Sequence, residues 1–90
     1  MSLIKRKQVT NTPGTINDGT NALIVTTITG AALGDFVLVT VDNALHDGVF
    51  LSARVVSTDT VDIVIHNESG SNRTYSSTLT FTLMLLRLVP

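Results

Sequence analysis

Apolar and polar residues alternate with period two along much of this chain, and that spacing predicts strands. Val49, Leu51, Ala53 and Val55 fall on one face of a segment from Val49 to Ser57, as expected of an extended backbone whose side chains point alternately to opposite faces. Val61, Ile63 and Ile65 share one face of a return strand running to Asn67, with Asp62 on the other, and Ser57-Thr58-Asp59-Thr60 joins the two as a short hairpin-type connection. A longer segment, Thr78 to Leu88, sets Leu79, Phe81, Leu83 and Leu85 on one face. Its opposite face changes along its length from Thr78, Thr80 and Thr82 to Met84, Leu86 and Leu88. A sandwich strand needs one apolar face for its own core. The second apolar row therefore needs a cover, either another segment of this chain or a neighbouring subunit, and Met84, Leu86 and Leu88 are the candidate subunit interface.

Other segments are recognised by residue type. Ala22 to Thr29 is β-branched at Ile24, Val25, Thr26, Thr27, Ile28 and Thr29, and branched side chains lose rotamers on a helical turn, so a strand is expected. Phe36 to Val41 is a continuous apolar run of strand length, entered through the glycine-punctuated turn Gly30 to Asp35. Ser2 to Val9 has no clean apolar face and reads as a short edge strand or an extended arm. Thr10 to Asn21, Asp42 to Gly48 and Glu68 to Ser77 are polar and rich in turn formers, and are expected as loops. The sum is an all-β chain: a small antiparallel β-sandwich or barrel-like domain of about six strands, with residues 1–10 as arm or edge strand and residues 11–90 as one β domain.

Composition narrows the function. A 90-residue chain buries only about 60 to 65% of its unfolded surface, so a partner chain would help it. Charged residues make up 14% of the sequence against roughly 25% in an average soluble domain, with Thr, Ser and Asn in their place. A net charge of -1 supplies no long-range field for nucleic acid or an anionic membrane. Without cysteine there is neither a disulfide nor a thiolate metal site. Leu3-Ile4 followed by Lys5-Arg6-Lys7 reverses the basic-then-apolar order of a secretion signal.

No constellation for chemistry stands out. His46 and His66 lack the convergent spacing of a metal site. The serines sit in turns without the glycine-flanked elbow of a hydrolase nucleophile. Asp18, Asp35, Asp42, Asp47, Asp59, Asp62 and Glu68 fall nearly all at turns, where a carboxylate bonds local backbone, and no calcium-loop pattern links Asp42 and Asp47. Gly30 and Gly34 are not followed by the Lys-Ser/Thr of a phosphate loop. Asn67-Glu68-Ser69 and Asn72-Arg73-Thr74 match a short glycosylation pattern and read as loop chemistry. Lys5-Arg6-Lys7 is the one basic cluster, and without exposed aromatics for stacking it reads as a solvated arm or an anchor to an acidic partner surface. The expectation is a non-enzymatic protein with no cofactor and no metal, acting through its surface.

The order of signals from Gly30 to Arg87 resembles small modules of bacteriophage virion proteins, both capsid decoration (cement) proteins and tail-fibre repeats or knobs. The resembling elements are Gly30-Ala31 and Gly34-Asp35 before Phe36-Val37-Leu38, then Ala53-Arg54-Val55, then Thr60-Val61-Asp62-Ile63 running into Asn67, then Ser69-Gly70 and an apolar last strand. The resemblance implies a β module, commonly trimeric, that attaches to or forms part of a virion. A chain with an initiator Met that stops at Pro90, just past its last strand, suits a free-standing cement subunit better than a segment of a long fibre. The expected partners are then the major capsid protein and further copies of the chain, with Leu3, Ile4, Lys5, Arg6 and Lys7 as a capsid-anchoring arm. Asn43, His46, Asp47, Asn72, Arg73 and Tyr75 are the expected exposed loop tips. The alternative is a tail-fibre or receptor-binding accessory module holding a glycan on those loops.

Overall fold

The computed structural model describes residues 1–88; the last two residues of the expected 11–90 domain lie outside it. Among the described residues every regular element is a strand: β1 (Ser2–Asn11), β2 (Gly14–Ile16), β3 (Asn21–Thr27), β4 (Phe36–Val41), β5 (Val49–Ser57), β6 (Thr60–Asn67), β7 (Arg73–Tyr75) and β8 (Leu79–Arg87). They form two three-stranded antiparallel sheets, β1-β8-β4 and β3-β6-β5, and a ribbon of β2 with β7. The two larger sheets face each other as a sandwich. Their central strands supply the core, with Val61, Ile63 and Ile65 of β6 opposite Leu79, Phe81, Leu83 and Leu85 of β8, all essentially inaccessible.

The hairpin between β5 and β6 follows the alternation read from sequence. Val55 lies opposite Val61 and Ala53 opposite Ile63, and Asp59 takes the left-handed conformation in the turn (φ 64°), which Asp tolerates better than most residues. The expectation of about six strands falls short by β2 and β7. Both lie within segments expected as loops and are three residues long, too short to show periodicity. They form because they pair with each other, Gly14 opposite Tyr75 and Ile16 opposite Arg73, and because Ile16 and Tyr75 enter the core.

Ser2 to Val9 is a strand in this structure, the edge-strand alternative of the two. β1 pairs with β8 along its length, with a bulge at Ile4 between Leu3 and Lys5. Val9 packs against the core, and Lys7 crosses to the other sheet, where its ammonium donates to the Thr27 carbonyl. Five of the arm residues, Leu3 to Lys7, are therefore wall rather than tether.

Polar clusters close both ends of the sandwich. At one end the fully buried Asn67 donates from Nδ2 to the Ile16 carbonyl (2.8 Å) and the Ser71 carbonyl (2.9 Å) and accepts at Oδ1 from Ser69 N–H (3.1 Å) and Ser69 Oγ (2.7 Å). At the other end Arg87 grips Asp35 through two bonds of 2.7 Å and donates to the Gly30 carbonyl (2.9 Å). Asp59 accepts there from Gly30 N–H (2.8 Å).

Candidate functional site

The outer face of the β1-β8-β4 sheet is the candidate site. Strand register builds it residue by residue: Met84 of β8 lies between Arg6 of β1 and Leu38 of β4, and Leu86 between Leu3 and Phe36. Phe36 and Leu38 remain 52% and 56% exposed, while Met84 and Leu86 are half-buried by these lateral neighbours alone. No described segment of the chain lies over them. Of the two covers expected for this row, the chain's own is absent among the described residues. Leu88 follows the end of β8 and is exposed.

The face is divided along its length. Leu3, Phe36, Leu38, Met84 and Leu86 form one apolar half, and Gln8, Thr10, Thr40, Thr80 and Thr82 form a polar half. Where they meet there is a shallow depression of about 100 Å³ lined by Leu38, Val39, Thr40, Thr82 and Met84, too small for most organic ligands. An apolar area this continuous beside a polar one is the pattern of a protein contact. Phe36 and Leu38 escaped the sequence reading of the interface, although the unbroken run Phe36-Val37-Leu38-Val39 carried the signal: it is apolar on both faces.

Arg6 is exposed on this face beside Met84, whereas Lys5, opposite the core residue Leu85, is exposed on the inner side of the same edge strand. Lys7 is half-buried and committed to Thr27, so the basic cluster presents two free-standing charges to a partner and keeps the third for itself. At the apolar end, Asp35 receives Arg87 on both carboxylate oxygens and Ala32 N–H on one of them (3.0 Å). The Arg87 hydrogen bonds, aided by that N–H, hold the Asp35 carboxyl at about 2, below its ordinary 3.8, against the opposing pull of burial. The sequence reading of Asp35 as a turn carboxylate captured the Ala32 bond and missed Arg87.

The expected loop tips separate. Asn43, His46, Asp47 and Asn72 are exposed, and Arg73 is half-buried on β7 with its Nε donating to Ser69 Oγ (3.0 Å). Tyr75 is a correction: it is 7% exposed. Its ring fills the end of the core, and its hydroxyl accepts from His46 N–H (3.0 Å) and bonds His46 Nδ1 (2.8 Å), which satisfies the one polar atom that burial would otherwise strand. His46 stacks edge-on against the ring, 5.3 Å between centroids. The Asn72 side chain accepts at Oδ1 from Asp18 N–H (2.9 Å).

One arrangement escaped the sequence altogether. On the outer face of the β3-β6-β5 sheet, His66 bonds Ser52 Oγ through Nε2 (2.9 Å) and Asn21 Oδ1 through Nδ1 (3.0 Å). It has the order of a nucleophile relay, but its third member is an amide and it lies on a flat strand surface. Its evident work is to tie the three strands together. Among the described residues no group of three or more His, Cys, Asp or Glu side chains is placed to hold a metal ion, and no helix is long and apolar enough to cross a membrane.

No protein-family model, curated protein or solved structure matches this chain.

Proposed function

We propose that the protein is a structural subunit of a bacteriophage virion, a capsid decoration protein that assembles as a homotrimer and binds the outer surface of the capsid. The observation that carries this reading is the uncovered apolar half of the β1-β8-β4 face, Leu3, Phe36, Leu38, Met84 and Leu86. Each of these side chains, already part-shielded, gains roughly 1 kcal/mol when a neighbouring subunit removes it from water. Together these gains favour contact between copies of a marginal 90-residue domain, against the cost of association. Arg6 on this face, with Lys5 exposed on the same edge strand, supplies the anchor to an acidic capsid surface.

The oligomer is tested by light scattering on the wild type and on Leu86→Lys. The expected result is three subunits falling to one; a monomeric wild type at micromolar concentration refutes the interface. The partner is tested by co-sedimentation with empty capsids and with isolated tails. Binding to capsids, weakened at least several-fold in Lys5→Gln/Arg6→Gln, supports decoration, whereas binding to tails alone replaces it with the tail-fibre reading. Burial of Tyr75 removes one of the side chains that a glycan-holding module would have used.

A further inference from the structure

Each three-stranded sheet leaves two edge strands, and the edges differ in how they are protected. β1 carries Lys5, Arg6 and Lys7 and a bulge at Ile4. β5 carries Arg54 and a bulge at Val56. Charges and bulges are the devices that stop an edge from pairing with another chain. β4 has neither, but it runs beside β5 where the chain crosses between sheets. β3, Asn-Ala-Leu-Ile-Val-Thr-Thr, has no charge, no proline and no bulge.

The outward-facing backbone groups of β3 follow from its register. Asn67 N–H donates to the Thr20 carbonyl (3.0 Å) and Ile28 N–H to the Asp59 carbonyl (2.9 Å). The same alternation directs the N–H and C=O groups of Ala22, Ile24 and Thr26 toward β6, and those of Asn21, Leu23, Val25 and Thr27 away from it. The Thr27 carbonyl is taken by Lys7. Leu23 and Val25 are left at the centre of the edge, with side chains 59% and 61% exposed on the outer face.

We propose that Leu23 and Val25 form a pairing site for β3 of a second copy of this chain, antiparallel about a twofold axis at Ile24. Leu23 of one copy then exchanges both backbone bonds with Val25 of the other, and Val25 with Leu23. In an antiparallel ladder, residues that exchange bonds carry their side chains on the same face. Against a second β3 this sets Leu23 beside Val25 on the outer face of a continuous sheet of six strands, three from each copy. Against β4 the same geometry fails. The Asp42 N–H to Thr80 carbonyl bond and the β4–β8 register make Val37, Val39 and Val41 the outward-bonding residues of β4. Their side chains point into the core, so antiparallel bonding to β3 would place outer and inner rows on one face. The site is thus matched to a copy of itself. It is small, so it operates at high local concentration, as between neighbouring subunits on one surface. The inference is independent of the decoration reading.

Val25→Pro removes an N–H that the ladder with β6 does not use, so the fold survives and the pairing is lost. Val25→Lys is the second variant, should proline disturb the strand by circular dichroism. Between about 10 μM and about 1 mM, the Leu23 and Val25 amides of the wild type should become about tenfold slower in hydrogen exchange. At the upper concentration the wild-type molar mass should be twice that of either variant if the basal state is one subunit, and at least twice if the β1-β8-β4 face sets it at three, since a trimer presents three such edges. Concentration-independent exchange at these amides, or equal masses, overturns the inference. Loss of association in Leu86→Lys with none in Val25→Pro also overturns it while leaving the decoration reading standing.

Discussion

Asn67→Ala is the sharpest probe of what organises this fold. The Asn67 side chain is fully buried and makes four hydrogen bonds, two as donor and two as acceptor, linking β6 to β2 and to the Ser69–Ser71 turn. At about 1 kcal/mol net per bond the side chain is worth about 4 kcal/mol. Some is recovered, because Ser69 Oγ keeps its own bond to the Ser71 carbonyl (3.0 Å). The backbone bonds of Asn67 to Gly19 and Thr20 do not involve the side chain. The net loss is about 3 kcal/mol, from a total of about 5–13 kcal/mol for a chain of this size. Urea unfolding followed by far-UV circular dichroism should show the midpoint lowered by about 3 M, at a slope near 1 kcal/mol/M. Asn67→Asp keeps the shape and replaces the donor with a carboxylate oxygen facing two carbonyls, so it should cost more at pH 7. Its folded-state pKa is raised, so that extra cost should shrink as the pH falls and the carboxyl takes up the proton it lacks. A loss below about 1 kcal/mol for Asn67→Ala would refute the view that this side chain pins the loops.

Three further outcomes follow from other parts of the sandwich. The Asp35 carboxyl sits at about 2 when folded, below its ordinary 3.8; a depressed folded value contributes stability above the ordinary pKa and loses it as pH falls through the folded one. The melting temperature of the wild type should therefore drop faster than that of Asp35→Asn between about pH 4 and pH 2, and parallel curves would dismiss the Arg87 clasp as a stabilising contact. Gly48 has φ 83°, and an added Cβ would lie 2.7 Å from Ser69 Cα. Gly48→Ala should cost at least about 2 kcal/mol in urea unfolding, and a neutral effect would mean that the turn relaxes freely. Deleting Ser2 to Val9 removes most of the strand that pairs with β8 and should abolish cooperative melting, where a detachable arm would leave the melt unchanged.

The elements legible in the sequence are those whose signal is local. The β5–β6 hairpin is two alternating runs joined by a two-residue turn, and the inner face of β8 is every second residue from Leu79 to Leu85; both could be read because period two needs only neighbours. The two-sided character of β8 was legible for the same reason. What stayed hidden depends on residues far apart in the chain. Asn67 meets the Ile16 carbonyl 51 positions away and Arg87 meets Asp35 52 positions away. Ile16 and Asp35 alone look like loop and turn residues, and Asn67 and Arg87 like ordinary ends of strands. β2 and β7 were lost on both counts: each is short, and among the described residues its strand partner is the other alone. Tyr75 was misplaced because its segment is polar, and a single aromatic among Ser and Thr gives no periodicity from which to infer burial.

The distribution of polar side chains bears on where partners can bind. Asp18, Asp35, Asp59, Asn67, Ser69 and Asn72 are engaged with backbone or other side chains at the two ends of the sandwich, so the loops are held by their own polar groups. The apolar half of the β1-β8-β4 outer face carries Leu, Phe and Met instead. Loops often bear recognition because they lie exposed on a rigid scaffold, and Asn43, His46, Asp47, Asn72, Arg73 and Tyr75 were expected as exposed loop tips. In this chain His46 is bound to a buried tyrosine, Asn72 braces Asp18, and Arg73 braces Ser69. One side-chain polar atom of each is already bonded, and a partner that used that atom would have to displace the bond before making its own. Leu3, Phe36, Leu38, Met84 and Leu86 have no such commitment: covering them costs no polar group its partner and releases apolar surface from water. A contact on the apolar half of the β1-β8-β4 face therefore displaces fewer existing hydrogen bonds than one that uses the bonded atoms of His46, Asn72 and Arg73.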